Sequence, residues 1–376
     1  MRNQKKIRHR RIKRVFRFFN RKFIMIWPVI VNTLISGAVF AYELNVPGEF
    51  ATLEEAVKHS REGDAIIVAP GIYRLGPENI TIDREHLTLK SLYGPSKTVI
   101  EGWGNKPVIK FSETSRAVIE GFTITSMNSH DGLPLRGGGI YCAYSSSPII
   151  MNNIITGNSA VFGGGIFCDE ETSPIIVNNS ILRNKATRFG GGVFSYKAKS
   201  TIVNNRITEN SASNSGGGLF CDRDSPYITN NIIWRNKAGF GGGISCDRSF
   251  SVITNNTITE NKAESGGGII FEGGTTRISN VILWNNMDDL SSRTVSSSSR
   301  PVFSDIGDGD FRGLNGNIST DPLFVDPDDG DFRLSPKSPC INAGNPEETY
   351  NDPDGSINDM GAFGGPRANY LRGGKL

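Results

Sequence analysis

Residues 163–192 read GGGIFCDEETSPIIVNNSILRNKATRFGGG, and this stretch decides the fold. It opens and closes on three glycines, and the motif recurs. GGG runs begin at Gly137, Gly163, Gly190, Gly216, Gly241 and Gly266, at intervals of 26, 27, 26, 25 and 25 residues. A near-fixed period of this size marks a solenoid, in which each unit buries its apolar side against the next. Other columns keep their residue type at the same spacing. One is Ile150, Ile176, Ile202, Ile228, Ile253 and Ile278, and two residues later comes Asn152, Asn178, Asn204, Asn230, Asn255 and Asn280. Ile155, Ile181, Ile207, Ile233, Ile258 and Leu283 form a third column, and Asn158, Asn184, Asn210, Asn236, Asn261 and Asn286 a fourth.

The apolar runs are short, rich in Ile and Val, and broken by Asn and Gly, so they read as strands and not helices. Each strand is expected to pair in parallel with its copy one coil away, about 4.8 Å distant. Like residues then stack on like. The Ile columns become core ladders, and the Asn columns (Asn152 and Asn158 onward) become amide ladders at the bends. Glycine is expected where φ is positive or backbones approach closely.

GGGIYC, SPIIMNNIITGNSA and their copies resemble the right-handed parallel β-helix repeats of the pectate-lyase-like superfold. They also resemble the repeats of bacterial polymorphic outer-membrane proteins. The resemblance covers about residues 50–290. DPLFVDPDDGDFRLSPKSPCINAG and DPDGSINDMGAFGG are similar to the C-terminal tails of secreted bacterial β-helix proteins. The resemblance implies an all-β, right-handed parallel β-helix solenoid of about ten coils at the cell exterior. The functions it implies range from polysaccharide cleavage to adhesion.

The two ends set the domain plan. Eleven Lys and Arg lie within residues 1–22, followed by an apolar run from Phe23 to Phe40 that closes on small residues. This is the pattern of a secretory signal over 1–41, with an uncleaved membrane anchor as the alternative. No Asp or Glu precedes Glu43, so the +3 of the whole chain becomes −8 without this segment. The basic balance therefore gives no argument for nucleic-acid binding. Thr52 and Glu55 have capping-box spacing, and Leu53, Ala56 and Val57 make one helical face, which predicts a short helix capping the first coil. The β-helix with this cap is placed at 42–290. Residues 291–376 are read as a Ser-rich excursion, a last irregular coil and a tail.

Cys142, Cys168, Cys221 and Cys246 share one repeat position, filled by Ser195 and Phe271 in the other two units. Strand alternation turns that position inward, giving a ladder of buried thiols and not a metal set. The residues beside it then face outward. One outward column is Tyr141, Phe167, Phe194 and Phe220; the next is Asp169, Asp222, Asp247 and Glu272, with Arg223 and Arg248 adjoining. Rings that stack on sugar faces and acids that take hydroxyls make this the candidate substrate-binding face. No catalytic residue is assigned. In the tail, Asp352, Asp354 and Asp359 around Gly355 are a candidate Ca²⁺ set, with Asp-Gly turn chemistry as the alternative. The sequons at Asn178 and Asn255 fall on the Asn column and read as structural.

The sequence thus points to a secreted or surface-displayed protein that recognises extracellular polysaccharide or a cell-surface component, as adhesin or scaffold. The alternative is a polysaccharide lyase or glycoside hydrolase of the same fold, and the repeats hold no histidine for a His-dependent hydrolase. Membrane contact is expected only through the N-terminal signal or anchor.

Overall fold

A computed structural model describes residues 42–113, 115–127, 132–292 and 299–368. The expected signal over 1–41 and the centre of the Ser-rich segment lie outside the described residues. The chain winds as a parallel β-helix of about ten coils whose strands form three long sheets. The front sheet runs from Ile80–Ile82 to Leu290–Ser292 and holds the strands that follow each GGG, such as Ile166–Cys168. The middle sheet runs from Glu43–Val46 to Arg277–Ser279, and the back sheet from Gly71–Arg74 to Asp305–Ile306. Sequence patterning missed the first middle strand, Glu43–Val46, which has no repeat copy to reveal it.

The register is that of the sequence columns. Ile150 pairs Ile176, Ile176 pairs Ile202, and Ile155 pairs Ile181. These columns are fully buried. Most strands have only three or four residues, so no coil could bury its own apolar side; the stacking of coils supplies the core.

Glycine is required at the GGG corner for two separate reasons. The first glycine of each run has φ between 58° and 70°. The second meets the next coil: a Cβ on Gly164 would lie 2.6 Å from the carbonyl oxygens of both Gly191 and Lys185. No side chain fits there without moving two coils.

The asparagine ladders are real, but one runs through a different column than expected. Asn158, Asn184, Asn210, Asn236, Asn261 and Asn286 form one continuous ladder, each Nδ2 donating to the next Oδ1 at 3.0 Å. Asp289 closes it, accepting from Asn286 Nδ2 at 2.8 Å. At the other bend the ladder is Asn153, Asn179, Asn205, Asn231 and Asn256, the second Asn of each pair. The first Asn (Asn152, Asn178, Asn204, Asn230, Asn255 and Asn280) sits at φ 50–57° and points outward. Asn tolerates that left-handed conformation better than most residues. The turn thus sends consecutive Asn side chains to opposite sides of the wall.

Helix α1, Leu53–His59, covers the N-terminal end as expected. Thr52 Oγ1 accepts from Glu55 N at 3.2 Å, and Leu53, Ala56 and Val57 are buried. Among the described residues no helix is long and apolar enough to cross a membrane.

The tail does more than close the C-terminal end. It folds back along the flank of the last coils. Trp234, on the outer side of the back sheet, packs edge-on to Phe332 at 5.4 Å, and Ile282 is buried with Cys340 and Met360. The outward Asn column holds the tail in place. Asn230 Nδ2 donates to Ala362 O at 3.0 Å and Gly364 O at 2.8 Å. Asn255 Nδ2 donates to Asn358 Oδ1 at 2.8 Å, and Asn280 Oδ1 accepts from Asn345 N at 2.8 Å.

Candidate functional site

The front sheet shows the alternation expected of it. Ile166 and Cys168 point into the core, and the five cysteines are free and buried. Burial pushes the Cys142 thiol well up from its ordinary value, with Cys168 stacked beside it adding to the shift.

The outward ring column does not meet solvent as a sugar platform would. Phe167, Phe194 and Phe220 are only 2%, 5% and 6% exposed. Their rings form an edge-to-face stack, Phe167 to Phe194 at 5.0 Å and Phe194 to Phe220 at 4.9 Å. A second aromatic layer lies over it. Phe162 and Phe189, from the strands before each GGG, stack on one another at 6.0 Å with planes 5° apart. Phe189 also contacts Phe220 at 4.8 Å. The Arg188 guanidinium lies 5.4 Å from the Phe162 ring centre and 5.5 Å from that of Phe189. The expectation that Phe167, Phe194 and Phe220 touch ligand is therefore corrected: they are an outer core, and the half-exposed rings are Tyr141, Phe162, Phe189 and Tyr196. Strand alternation predicted their direction correctly. It could not show the roof, although Phe162 and Phe189 preceding two successive GGG runs were a legible sign.

The carboxylate column divides into two parts. Asp169 is 5% exposed and closed off. Its Oδ2 accepts from Arg136 at 2.6 Å and from the Tyr141 hydroxyl at 2.6 Å, and its Oδ1 accepts from Glu170 N at 2.9 Å. Burial, then the hydrogen bond to Asp169, raises the Tyr141 phenol above its usual value. Asp169 and Tyr141 thus brace this end of the face and offer little to a ligand.

The other part is open. Asp222 pairs with Asp247 and Asp247 with Glu272 in successive coils, so the three acids stand in one row. Arg248 grips Asp247 with two hydrogen bonds, at 2.9 and 2.8 Å. Asp222 has no such partner. Its Oδ1 makes no hydrogen bond and lies 3.7 Å from Arg223 and 3.8 Å from Arg248. Burial raises its carboxyl above the usual range, against the pull of Arg223. Arg223, Arg248 and Glu272 are exposed. Lys197, one coil earlier, bonds Glu170 at 2.9 Å and lies 5.0 Å from the Tyr196 ring.

Directly behind this row, Asp224 is 2% exposed inside the corner. Ser249 Oγ donates to its Oδ1 at 2.6 Å, while Oδ2 has no partner. Burial pushes this carboxyl up to about 7.

The tail acids are not brought together as a ligand set. Asp352 accepts from Gly365 N, Asp354 from Ser356 N and Oγ, and Asp359 from Asn342 N. These bonds are the Asp-Gly turn chemistry named as the alternative to a Ca²⁺ set. Among the described residues, the one group of three with mutually close ligand atoms is Glu62, Glu85 and His86 at the other end.

The geometry defines a class: a parallel β-solenoid whose front wall carries a polar row beside a roofed aromatic stack. The model of the right-handed β-helix region matches residues 70–240 and 187–305, and the chain belongs to this family. No curated protein matches it. Among solved structures, pectate lyase Pel9A is similar over 87% of this chain and 97% of its own, at 16% identity and a TM-score of 0.54. Pectin methylesterase PemA from Erwinia chrysanthemi covers 70% of this chain and 93% of its own, at 13% identity and a TM-score of 0.38. The pectin methylesterase from Aspergillus niger covers 74% and 90%, at 12% identity and a TM-score of 0.40. The first likeness speaks to the fold alone, and the other two carry no argument.

Proposed function

We propose that this solenoid is a secreted or surface-displayed protein that binds extracellular polysaccharide across the open part of its front face. The observation that carries this reading is the row Asp222, Asp247 and Glu272 with Arg223 and Arg248 alongside. The groups repeat at the coil spacing of about 4.8 Å, comparable to one sugar unit of an extended chain. Carboxylates accept from sugar hydroxyls, and guanidinium groups donate to ring and acid oxygens. Tyr196 and the Phe162–Phe189 pair supply the exposed ring edge of the site. Phe167, Phe194 and Phe220 hold the wall rigid beneath it.

The test is a glycan array probed with the wild-type chain and with Asp222→Asn/Asp247→Asn. Loss of about ten-fold or more in affinity is expected, as for removal of hydrogen bonds to charged groups. Unchanged binding would remove this face from the proposal.

A second reading, as a polysaccharide lyase or hydrolase, draws support from Asp222. A carboxyl raised by burial and flanked by two arginines is a recurrent mark of acid–base chemistry. The pectate lyase among the similar structures fits that reading too. Ultraviolet absorbance of unsaturated products, with and without Ca²⁺, and a reducing-end assay decide it. Clean negatives on acidic and neutral polysaccharides leave binding alone.

A further inference from the structure

We propose that the corner leading into the GGG runs is a track for an anionic polymer, laid along the solenoid axis beside the front face. The proposal deepens the polysaccharide reading by fixing the ligand's charge and direction. Lys185 pairs with Ser211, Ser211 with Lys237, and Lys237 with Lys262, so three lysines stand in a single column. The strand spacing puts Lys237 and Lys262 about 4.8 Å apart at the backbone, and Lys185 about 10 Å from Lys237. All three are exposed, and none forms an ion pair among the described residues. Alternation fixes their direction, because Ala186, Ala212 and Ala238 between the columns are buried.

The neighbouring charges sharpen the contrast. Arg183 bonds Glu209 at 2.6 Å and Arg235 bonds Glu260 at 2.7 Å, so those pairs neutralise themselves. What remains on these coils of the stripe is Lys185, Arg188, Lys237 and Lys262 against Glu264, with Asp288 of the next coil engaged by Gly266 N at 2.7 Å. This stands on a body whose residues after 41 sum to −8. A row of unpaired like charges costs free energy by self-repulsion, and a ligand of opposite charge at matching spacing relieves it. Lysine heads are point charges without the fork geometry of arginine, so they suit sulfate, phosphate or carboxylate groups on a chain and select by spacing. Arg188, lying on Phe162 and Phe189, links the track to the exposed rings.

The test uses the full chain with dextran sulfate as probe and unsubstituted dextran as control. Lysine acetylation is followed residue by residue by mass spectrometry, which separates this column from the basic N-terminal segment. Dextran sulfate is expected to slow modification of Lys185, Lys237 and Lys262 about five-fold or more at low salt, with the effect lost at roughly 1 M salt. The exposed Lys97 and Lys337 should be unaffected. Lys237→Gln alone, a surface change that leaves the fold intact, should weaken protection of Lys262. Equal protection at Lys97 and Lys337, protection by neutral dextran, or none at the three lysines overturns the track. Loss of array binding in the Asp222/Asp247 variant with protection of the lysines unchanged, or the reverse, tells the two proposals apart.

Discussion

Asp224 shows how one residue can make the whole rod sensitive to pH. Its side chain faces Ser249 and Ser195 inside the corner, with the Asp222 charge nearby raising it further. Its folded pKa of about 7 lies above the ordinary 3.8 of an aspartate. The folded state therefore holds this proton more tightly than the unfolded state does. The stability it contributes is fully present below pH ~4 and is lost as pH rises through about 7. At ~1.4 kcal/mol per unit the swing is about 4 kcal/mol. Asp224→Asn keeps an acceptor for Ser249 and cannot ionise. Urea midpoints at pH 4.5 and 8 should differ less in the variant than in the wild type, with the variant the more stable of the two at pH 8. An equal pH dependence in both would show that Asp224 is ionised throughout.

Asn205 is the residue-scale case of a group that must be satisfied. Its Oδ1 accepts from Asn179 N at 2.9 Å and from Asn179 Nδ2 at 3.1 Å, and its Nδ2 donates to Ile176 O at 2.8 Å. Asn205→Ala leaves the Asn179 N–H without its acceptor and removes a donor from Ile176 O. Each orphaned buried group costs about 1–3 kcal/mol, so a loss of roughly 2–5 kcal/mol is expected in chemical denaturation. A loss under ~1 kcal/mol would mean that water replaces the ladder.

At the scale of elements, the tail and the back sheet complete one another. Trp234 is 8% exposed only because Phe332 and Ala362 lie against it. Truncating a buried Trp costs about 3–5 kcal/mol when its site cannot collapse. Here the cost falls on the docking of a segment. Trp234→Ala should leave the β-helix intact by circular dichroism while speeding tryptic cleavage at Arg333 over that of the wild type. Simultaneous loss of sheet signal and tail protection would show that the strap and the coils unfold together. The elements also show what could be read from the chain. Strands, spacing, the capping helix and the inward thiols were legible because each obeys a local period. The roof of Phe162 and Phe189 showed only as a Phe before two successive GGG runs; that it lies over the inner ring stack depends on how the corner turns, which the period does not state.

At the scale of the molecule, each coil contacts its neighbours and, on one flank of the later coils, the tail, so stability should accumulate nearly coil by coil. Deleting residues 180–205 joins Asn179 to Arg206 and removes one full period. All three sheets and both Asn ladders stay in register across the join, as the pairings of Ser180 with Arg206 and of Asn179 with Asn205 require. The shortened chain should fold, keep its β-sheet spectrum and melt cooperatively a few degrees lower. Failure to fold would show that the missing coil holds a contact beyond its neighbours. The same deletion removes Lys185 and Arg188, so protection of lysines by dextran sulfate should shrink to Lys237 and Lys262.

The sequence by itself determined the solenoid, its register and the inward or outward direction of the columns that lie on strands. Period and alternation are local properties, and stacking identical units leaves no other low-energy arrangement of Ile, Asn and Gly. Tertiary structure decided which outward residues meet solvent. Phe167 and Phe220 vanish beneath neighbours, Asp169 is closed by Arg136, the tail acids spend their oxygens on backbone amides, and Asn153 rather than Asn152 carries the ladder. Exposure depends on what other segments cover. That is a property of loops and tails whose paths no repeat encodes.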